Sequence, residues 1–481
     1  MSTLVSSWLE PRSGRLLAAG LALQGLVVVL PALWSAQHVL LVSGGLLLAG
    51  AMLFSVRRTL VVLVLVTVAL PDHFIDATRL PLGLRPGELV LLAALGFACI
   101  DLVYRRGLGV TRSRPGGLVA LFLAVAVLSI FVGLYRGNDP STVLRNARFP
   151  LYYAVFFAAL QVLDARDAAR LFVPVFIAAG LAVSAEYILG FLGAIDLSSG
   201  NRFVRLGQRQ GVFLPVSLLL LANVWLHDPR RWGRAVPLGL FLVMGVAFAL
   251  TLGRGMWVAF GVGLIVTVWL REAGLPAARR RLWRGALGAV VLLVLLAGAI
   301  LAFQRVTGAS ISAHAAERSR SFVDYRRDVQ VLGRILNYAT AVEAIAAHPL
   351  LGSGQGTTLT SYSYNPDTGR FETWSSWTID SLYLTLWVKM GLAGLIVFMA
   401  LCLRVLGRAH RAFHRCGDSS MRAFAAAATA IMVAMLVLGL SDGSMVNGRF
   451  AMVFGVLFAL VARVADAADG QAVNPTGAEL V

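Results

Sequence analysis

Apolar segments of about 20 residues recur along most of the chain, and each is long enough to cross the hydrocarbon core of a bilayer as a helix. Of the 481 residues, 58% are hydrophobic and only 14% are charged. A soluble domain usually has about a quarter charged residues and could not enclose this much apolar surface. The sequence therefore predicts an all-α polytopic membrane protein. It excludes a soluble enzyme, a secreted enzyme and a disordered scaffold.

Hydropathy predicts about 12 to 14 transmembrane helices. Helices are favoured over a barrel, because barrel strands alternate apolar and polar residues over segments of roughly ten residues. The predicted spans lie near residues 16–34, 39–55, 58–71, 88–104, 118–135, 147–163, 170–192, 211–227, 236–251, 256–271, 284–303, 382–405, 421–440 and 448–465.

The basic residues set the predicted orientation of these helices. When the N-terminus is placed in the cytoplasm, most of the 42 Lys and Arg residues fall in connections on the cytoplasmic side. The positive-inside rule favours this arrangement. The formal net charge of +18 then reflects topology and contact with anionic lipid headgroups, and nucleic acid is not expected as a partner.

One long connection, residues 304–381, falls on the outer side in this arrangement, and loops of this length are usually functional. Within it, the apolar periodicity of Val329–Ala347 predicts a helix that His348-Pro349 would end. We divide the chain into N-terminal transmembrane helices (1–200), a core that includes this loop (201–465) and a polar cytoplasmic tail predicted to be disordered (466–481).

Among the arginines that fall on the outer side, against the general trend, four are candidate ligand-binding residues. Arg202, Arg205 and Arg209 precede the predicted span 211–227, and Arg254 stands between two glycines where two spans meet. Arginines at such positions can simply extend to the lipid headgroups. Alternatively, they bind an anion, because the guanidinium group matches phosphate oxygens with paired hydrogen bonds. We predict that the cluster binds a diphosphate group.

Asp380 is the candidate catalytic residue, because it stands where the long loop re-enters the membrane. A carboxylate here could accept a proton from a sugar hydroxyl or pair with an arginine. The alternative is that Asp380 caps the next helix, since Asp is a favoured N-cap residue. Trp377 and the other aromatic residues of the loop could stack on sugar rings or belong to the interfacial belt. Lys389, inside the span, could pair with a carboxylate or reach a polar cavity.

These residues, in this order, resemble the bacterial O-antigen ligase/polymerase family of integral membrane proteins. The recognisable stretch runs from about Arg202 to Leu395. The motifs that carry the resemblance are Leu252-Gly253-Arg254-Gly255, Gly333-Arg334, His348-Pro349-Leu350-Leu351-Gly352-Ser353-Gly354, Asp380-Ser381-Leu382-Tyr383-Leu384 and Gly391-Leu392-Ala393-Gly394-Leu395.

The resemblance implies a GT-C-type membrane glycosyltransferase in the bacterial inner membrane. Such an enzyme transfers a glycan from undecaprenyl diphosphate to an acceptor hydroxyl at the periplasmic face, without a metal or other cofactor. It would place Arg254 and either Arg205 or Arg202 on the diphosphate. Arg334, His348 and Lys389 are candidate supporting residues. Expected partners are the lipid-linked glycan, membrane lipids and other polysaccharide assembly proteins.

The chain departs from the ligase branch of the family, which has a histidine where this chain has Asp380. This difference favours a polymerase that joins repeat units of an exopolysaccharide or O-antigen. The alternatives are a ligase that transfers the glycan to lipid A–core, a transporter of the same lipid-linked glycan, and a structural partner in an assembly complex. A transporter should show charged residues deep inside several spans and repeat symmetry.

The predicted orientation can be tested by cysteine labelling from outside the cell. We expect Gly369→Cys to react and Gly417→Cys to stay unlabelled, because the arginine distribution places residue 369 outside and residue 417 inside. The native cysteines are first replaced, so that only the introduced thiol can react. Labelling of position 417 from outside would contradict the orientation.

Overall fold

The computed structural model describes residues 115–194, 209–228, 235–251, 253–273, 329–365, 370–446 and 448–473, together with isolated residues between these ranges. The helices in chain order are α1 (Gly116–Tyr135), α2 (Pro140–Leu151), α3 (Val155–Val162), α4 (Val173–Ala194), α5 (Phe213–His227), α6 (Ala235–Leu250), α7 (Arg254–Ala273), α8 (Val329–Ala347), α9 (Leu382–Arg415), α10 (Ser419–Leu438) and α11 (Gly448–Val473).

The described part of the chain contains six helical segments that are long and apolar enough to cross a membrane. They are Gly116–Tyr135, Ala165–Leu192, Arg254–Arg271, Leu382–Arg415, Ser419–Leu438 and Phe450–Gly470. These segments confirm the predicted all-α polytopic class. Two shorter apolar helices, α5 and α6, occur at predicted spans. The four predicted spans within 16–104, and most of 284–303, lie outside the described residues.

Of the six long helical segments, those in α10 and α11 are the most buried. The run Ala425–Ala428 on α10 is buried, and side chains this small allow neighbouring helices to approach closely. Aromatic rings fill the space around α11, where Phe450 stacks on Phe213 with ring centroids 4.3 Å apart. Tyr153 is fully buried, and its hydroxyl donates to the carbonyl of Met445 at 2.9 Å. The centre of the bundle is therefore tightly packed.

The predicted span 147–163 is not one continuous helix, and it is not among the segments of the described chain that are long and apolar enough to cross a membrane. It begins earlier, at α2, where Asp139 is the N-cap and its carboxylate accepts from the Thr142 N–H at 2.9 Å. Pro150 lies inside α2, and because proline has no N–H the chain passes through a 3₁₀ turn before α3. Helix α2 lies beside Gly356 of the outer loop, where an added Cβ would lie 2.6 Å from the Val143 side chain.

The start of the C-terminal tail is helical, which corrects the prediction of disorder from residue 466. Helix α11 continues to Val473, and residues 474–481 lie outside the described part. Two arginines of α9 hold this extension, because Arg408 pairs with Asp466 at 2.5 Å and Arg415 pairs with Asp469 at 2.6 Å. These two acidic residues of the predicted tail are therefore ion-pair partners of a neighbouring helix.

The outer loop is more structured than its sequence pattern indicated. The predicted helix Val329–Ala347 is confirmed as α8, and it ends at His348-Pro349. An antiparallel hairpin follows, which the sequence analysis did not predict. Its strands are β1 (Leu359–Asn365) and β2 (Arg370–Ser376). Ala341 and Ile345 of α8 pack with Leu359 of β1 and Val388 of α9, so a small second core fixes the hairpin to the start of α9.

A glycine-rich loop, residues 352–356, inserts into a break in α9. Gly391 has φ +67°, so the helix is interrupted there. The carbonyl of Val388 accepts from the Ser353 N–H at 2.6 Å, and the Leu392 N–H donates to the carbonyl of Pro349 at 3.0 Å. A Cβ on Gly391 would lie 2.1 Å from the Leu350 carbonyl oxygen. The contact therefore requires glycine at position 391.

We expect Gly391→Ala to destabilise the protein by more than about 2 kcal/mol, because the substitution combines a backbone clash with a conformation that is essentially restricted to glycine. The measurement is the thermal unfolding temperature of the purified protein in detergent. Gly407→Ala is the matched control, since Gly407 lies in the same helix and its added Cβ would meet nothing within 4 Å. Equal unfolding temperatures for the two variants would contradict this account of the break.

Candidate functional site

A polar cavity of about 180 Å³ lies at the beginning of α9, and Asp380 is part of its wall. The surrounding elements are α2, the glycine-rich loop, the segment between β2 and α9, the first turns of α9 and the connection between α10 and α11. Its polar lining residues include Asn146, Gln355, Asp380, Lys389, Asp442 and Ser444. The cavity thus joins residues from four separate parts of the sequence.

Asp380 does not cap α9. The N-cap is Ser381, whose hydroxyl oxygen accepts from the Leu384 N–H at 3.5 Å. The alternative interpretation of Asp380 as the capping residue is therefore wrong, since the neighbouring serine takes that position. The Asp380 carboxylate therefore has no capping role, and the side chain is 54% exposed.

Arg334 of α8 lies against Asp380. Its Nε donates to Oδ2 of Asp380 at 3.3 Å, and the arginine side chain is 39% exposed. An ion pair this open to solvent contributes little to stability, so its main effect is to orient the carboxylate. The structure therefore brings together two of the residues that the sequence analysis singled out, although they are 46 positions apart.

Tyr338, one turn further along α8, joins the two connections that border the cavity. Its hydroxyl lies 2.7 Å from the carbonyl oxygen of Asp380 and 3.1 Å from that of Leu440, so one proton serves two acceptors. Burial raises the pKa of this tyrosine, and its hydroxyl stays protonated near neutral pH. Helix α8 thus holds the backbone of Asp380 next to the end of α10.

Asp442 is a second carboxylate on the cavity wall, and the sequence analysis missed it. Its Oδ1 accepts from the backbone N–H of Ser444 at 2.6 Å and also bonds to the Ser444 hydroxyl, in a turn after α10. Burial raises its pKa, the bonds from Ser444 act in the opposite direction, and the negative charge of Asp380 raises it further. The available signal was Asp442-Gly443-Ser444 directly after an apolar run, which is an ordinary turn sequence.

Lys389 is buried and lines the same cavity. Its Nζ lies 5.0 Å from the centre of the Trp377 ring, while no ion pair joins it to a carboxylate within the described residues. Trp377 also stacks on Phe149, with centroids 5.1 Å apart. Of the two predictions for Lys389, the structure favours the polar cavity. The Trp377 ring therefore packs against Lys389 and Phe149.

The candidate diphosphate-binding arginines are only partly described. Arg202 and Arg205 lie outside the described residues, and Arg209 begins a 3₁₀ turn before α5. Arg254 is the first residue of α7 and is half-buried. A Cβ on the next residue, Gly255, would lie 2.4 Å from Oγ of Ser441, the neighbour of Asp442. The start of α7 therefore lies at the same end of the bundle as the cavity.

The 3₁₀ turn that Arg209 begins packs beside the same region. A Cβ on Gly211 would lie 3.3 Å from the side chain of Thr251. Thr251 comes three residues before Arg254. His348 is exposed at the end of α8 and is not among the residues that line the cavity. Among the described residues, no group of three or more His, Cys, Asp or Glu side chains is placed to hold a metal ion.

Comparisons with known proteins bear on this region of the chain. Residues 239–399 match the model of the O-antigen ligase family (Wzy_C), and this confirms the resemblance seen in the sequence motifs. No curated protein matches the chain. The chain is similar to one chain of a solved structure described as "Structural coordination of polymerization and crosslinking by a peptidoglycan synthase complex". That alignment has 19% identity and a TM-score of 0.39, and it covers 73% of this chain and 97% of the other.

Proposed function

With residues 239–399 matching the O-antigen ligase family, we propose that the chain polymerises undecaprenyl-diphosphate-linked repeat units into an exopolysaccharide or O-antigen at the periplasmic face of the inner membrane. The observation that carries the proposal is the position of Asp380. This carboxylate is not needed as a helix cap, is oriented by Arg334, and borders a polar cavity at the membrane entry of α9. The coarser conclusion, a multi-pass membrane protein with an O-antigen ligase family region, stands independently.

In the proposed reaction, an acceptor hydroxyl attacks the anomeric carbon of the donor glycan. Asp380 takes the hydroxyl proton as the new carbon–oxygen bond forms. The bond between the anomeric carbon and the diphosphate oxygen breaks, and its electron pair leaves with undecaprenyl diphosphate. Negative charge therefore grows on the diphosphate in the transition state, where fixed cations stabilise it most effectively.

The arginines at the same end of the bundle would supply those cations. Arg254 is the best placed of the described ones, since α7 starts beside the connection that carries Asp442. The positive end of the α7 dipole adds to the charge of its guanidinium group. We propose that Arg202, Arg205 and Arg209 complete the diphosphate site. The reaction then needs neither a metal nor another cofactor.

A ligase that transfers the glycan to lipid A–core is the second candidate, because the family match carries the description of O-antigen ligase. The two functions share the donor and the leaving group and differ only in the acceptor. The residue at position 380 favours the polymerase, because the chain has an aspartate where the ligase branch has a histidine. Product analysis with purified protein separates them, since a polymerase lengthens lipid-linked glycans and a ligase modifies lipid A–core.

We expect Asp380→Asn to lower the rate of glycan transfer by about 100-fold or more, because asparagine cannot take the proton. The unfolding temperature should stay near that of the wild type, since Ser381 provides the cap. Ser381→Ala is the matched control, which should lower stability by about 1 kcal/mol and retain catalysis. In cells, loss of a polymerase leaves single repeat units. An Asp380→Asn variant that makes normal long chains would refute the catalytic role.

Arg254→Lys tests the diphosphate site. Lysine keeps the positive charge but lacks the planar fork of donors, so we expect transfer to fall sharply while the amount of folded protein stays normal. Arg271→Lys is the matched control, since Arg271 is exposed near the other end of α7. This control should remain active. A fully active Arg254→Lys variant would contradict the paired hydrogen bonds that we propose between this arginine and the diphosphate.

A further inference from the structure

Within the part of the chain that the structure describes, the side chain of Asn146 is buried without a hydrogen-bond partner. The residue is 1% exposed and lines the cavity beside Asp380. Neither Nδ2 nor Oδ1 makes a hydrogen bond with any residue that the structure describes. Buried amides are nearly always hydrogen-bonded, because an unsatisfied one weakens the fold. At the wall of a cavity, a bound ligand can supply the missing hydrogen bonds.

Two further polar side chains, Gln355 and Lys389, lie on the same wall. Gln355 is buried, and its Nε2 donates to the hydroxyl of Ser129 at 3.1 Å, while its Oε1 has no partner in the described part of the chain. The ammonium group of Lys389 contacts only the Trp377 ring there. The cavity therefore offers donors from Asn146 and Lys389 and acceptors from Asn146 and Gln355.

This mixture of donors and acceptors identifies the chemistry of the ligand. A sugar hydroxyl both donates and accepts, so a ring with several hydroxyls satisfies all three side chains. A diphosphate only accepts, and it would face the Gln355 carbonyl together with the carboxylates of Asp380 and Asp442. The size also fits, since a cavity of roughly 150 Å³ holds a benzene ring and this cavity has a volume of about 180 Å³.

We propose that the cavity holds one sugar ring of the acceptor glycan, with Asn146, Gln355 and Lys389 as its binding residues. The assignment to the acceptor rests on the proposed function, because Asp380 on the same wall would then face the attacking hydroxyl. The diphosphate of the donor binds elsewhere, at the arginines near the start of α7. The structure thus separates a sugar-binding wall from a phosphate-binding wall.

The test uses two probes on the purified full-length protein in detergent. One is the free oligosaccharide released from the lipid-linked repeat unit by mild acid, and the other is undecaprenyl diphosphate. Asn146→Leu removes the amide at nearly constant volume. We expect the ligand-free protein to melt about 2 °C or more higher, because an unsatisfied buried group is replaced by an apolar one. We expect affinity for the oligosaccharide to fall at least tenfold, with unchanged binding of undecaprenyl diphosphate.

Lys389→Met should weaken oligosaccharide binding in the same way. With this second variant, the test does not depend on position 146 alone. Asn223→Leu is the matched control, because Asn223 is equally buried but its Nδ2 donates to Thr267 at 2.9 Å and so links α5 to α7. This control should melt lower than the wild type and bind the oligosaccharide normally. The opposite shifts in melting temperature distinguish a ligand-binding amide from a structural one.

Three outcomes would overturn the proposal. The first is a wild-type protein that binds undecaprenyl diphosphate but not the oligosaccharide. The second is equal oligosaccharide affinity in the wild type and in Asn146→Leu. The third is an Asn146→Leu variant that melts lower, as the control does. Binding is measured without turnover, so a protein that binds the oligosaccharide through Asn146 yet joins no repeat units would refute the polymerase and retain the sugar site.

Discussion

The backbone of the glycine-rich loop replaces a hydrogen bond that α9 lacks at Gly391. In an unbroken helix the Leu392 N–H would donate to the carbonyl of Val388. Here the Val388 carbonyl accepts from Ser353 of the loop, and the Leu392 N–H donates to Pro349, which lies just before the loop. Backbone groups at membrane depth must be paired within the protein, so the break and the loop can exist only together. These hydrogen bonds hold the first turns of α9 against the glycine-rich loop.

The same loop also packs against α1 and the segment that follows it. The Gln355 N–H donates to the carbonyl of Ser129 at 2.9 Å, and the Asn138 amide donates to the carbonyl of Gln355 at 2.9 Å. A Cβ on Gly354 would lie 2.2 Å from the Gly133 nitrogen, so the loop contacts α1 directly. Several glycines in the motifs that resemble the O-antigen ligase/polymerase family therefore serve close backbone packing. The chemistry is left to polar residues such as Asp380.

Hydropathy was sufficient for the described spans, because a membrane-crossing helix is encoded in a continuous run of apolar residues. The cavity was not predictable in this way, since Asn146, Gln355 and Asp442 come from distant segments and no local spacing relates them. Asp380 and Lys389 were identifiable because each is unusual in its immediate surroundings. The hairpin was not predicted, because its aromatic residues also fit an interfacial belt. The full length of α11 was not predicted either, because Asp466 and Asp469 pair with arginines of α9, a contact that no local sequence pattern shows.

Two carboxylates border one cavity, and their surroundings give them different tasks. Asp442 is largely enclosed, burial raises its pKa, and Ser444 holds its carboxylate in a turn. Asp380 is half-exposed and contacts Arg334. A general base must take a proton from the acceptor and then release it to solvent, and only the more open carboxylate has a direct route for release. Under the proposed mechanism, Asp380 is therefore the base. Asp442 shapes the connection after α10, and its raised pKa limits the repulsion between two carboxylates that share one site.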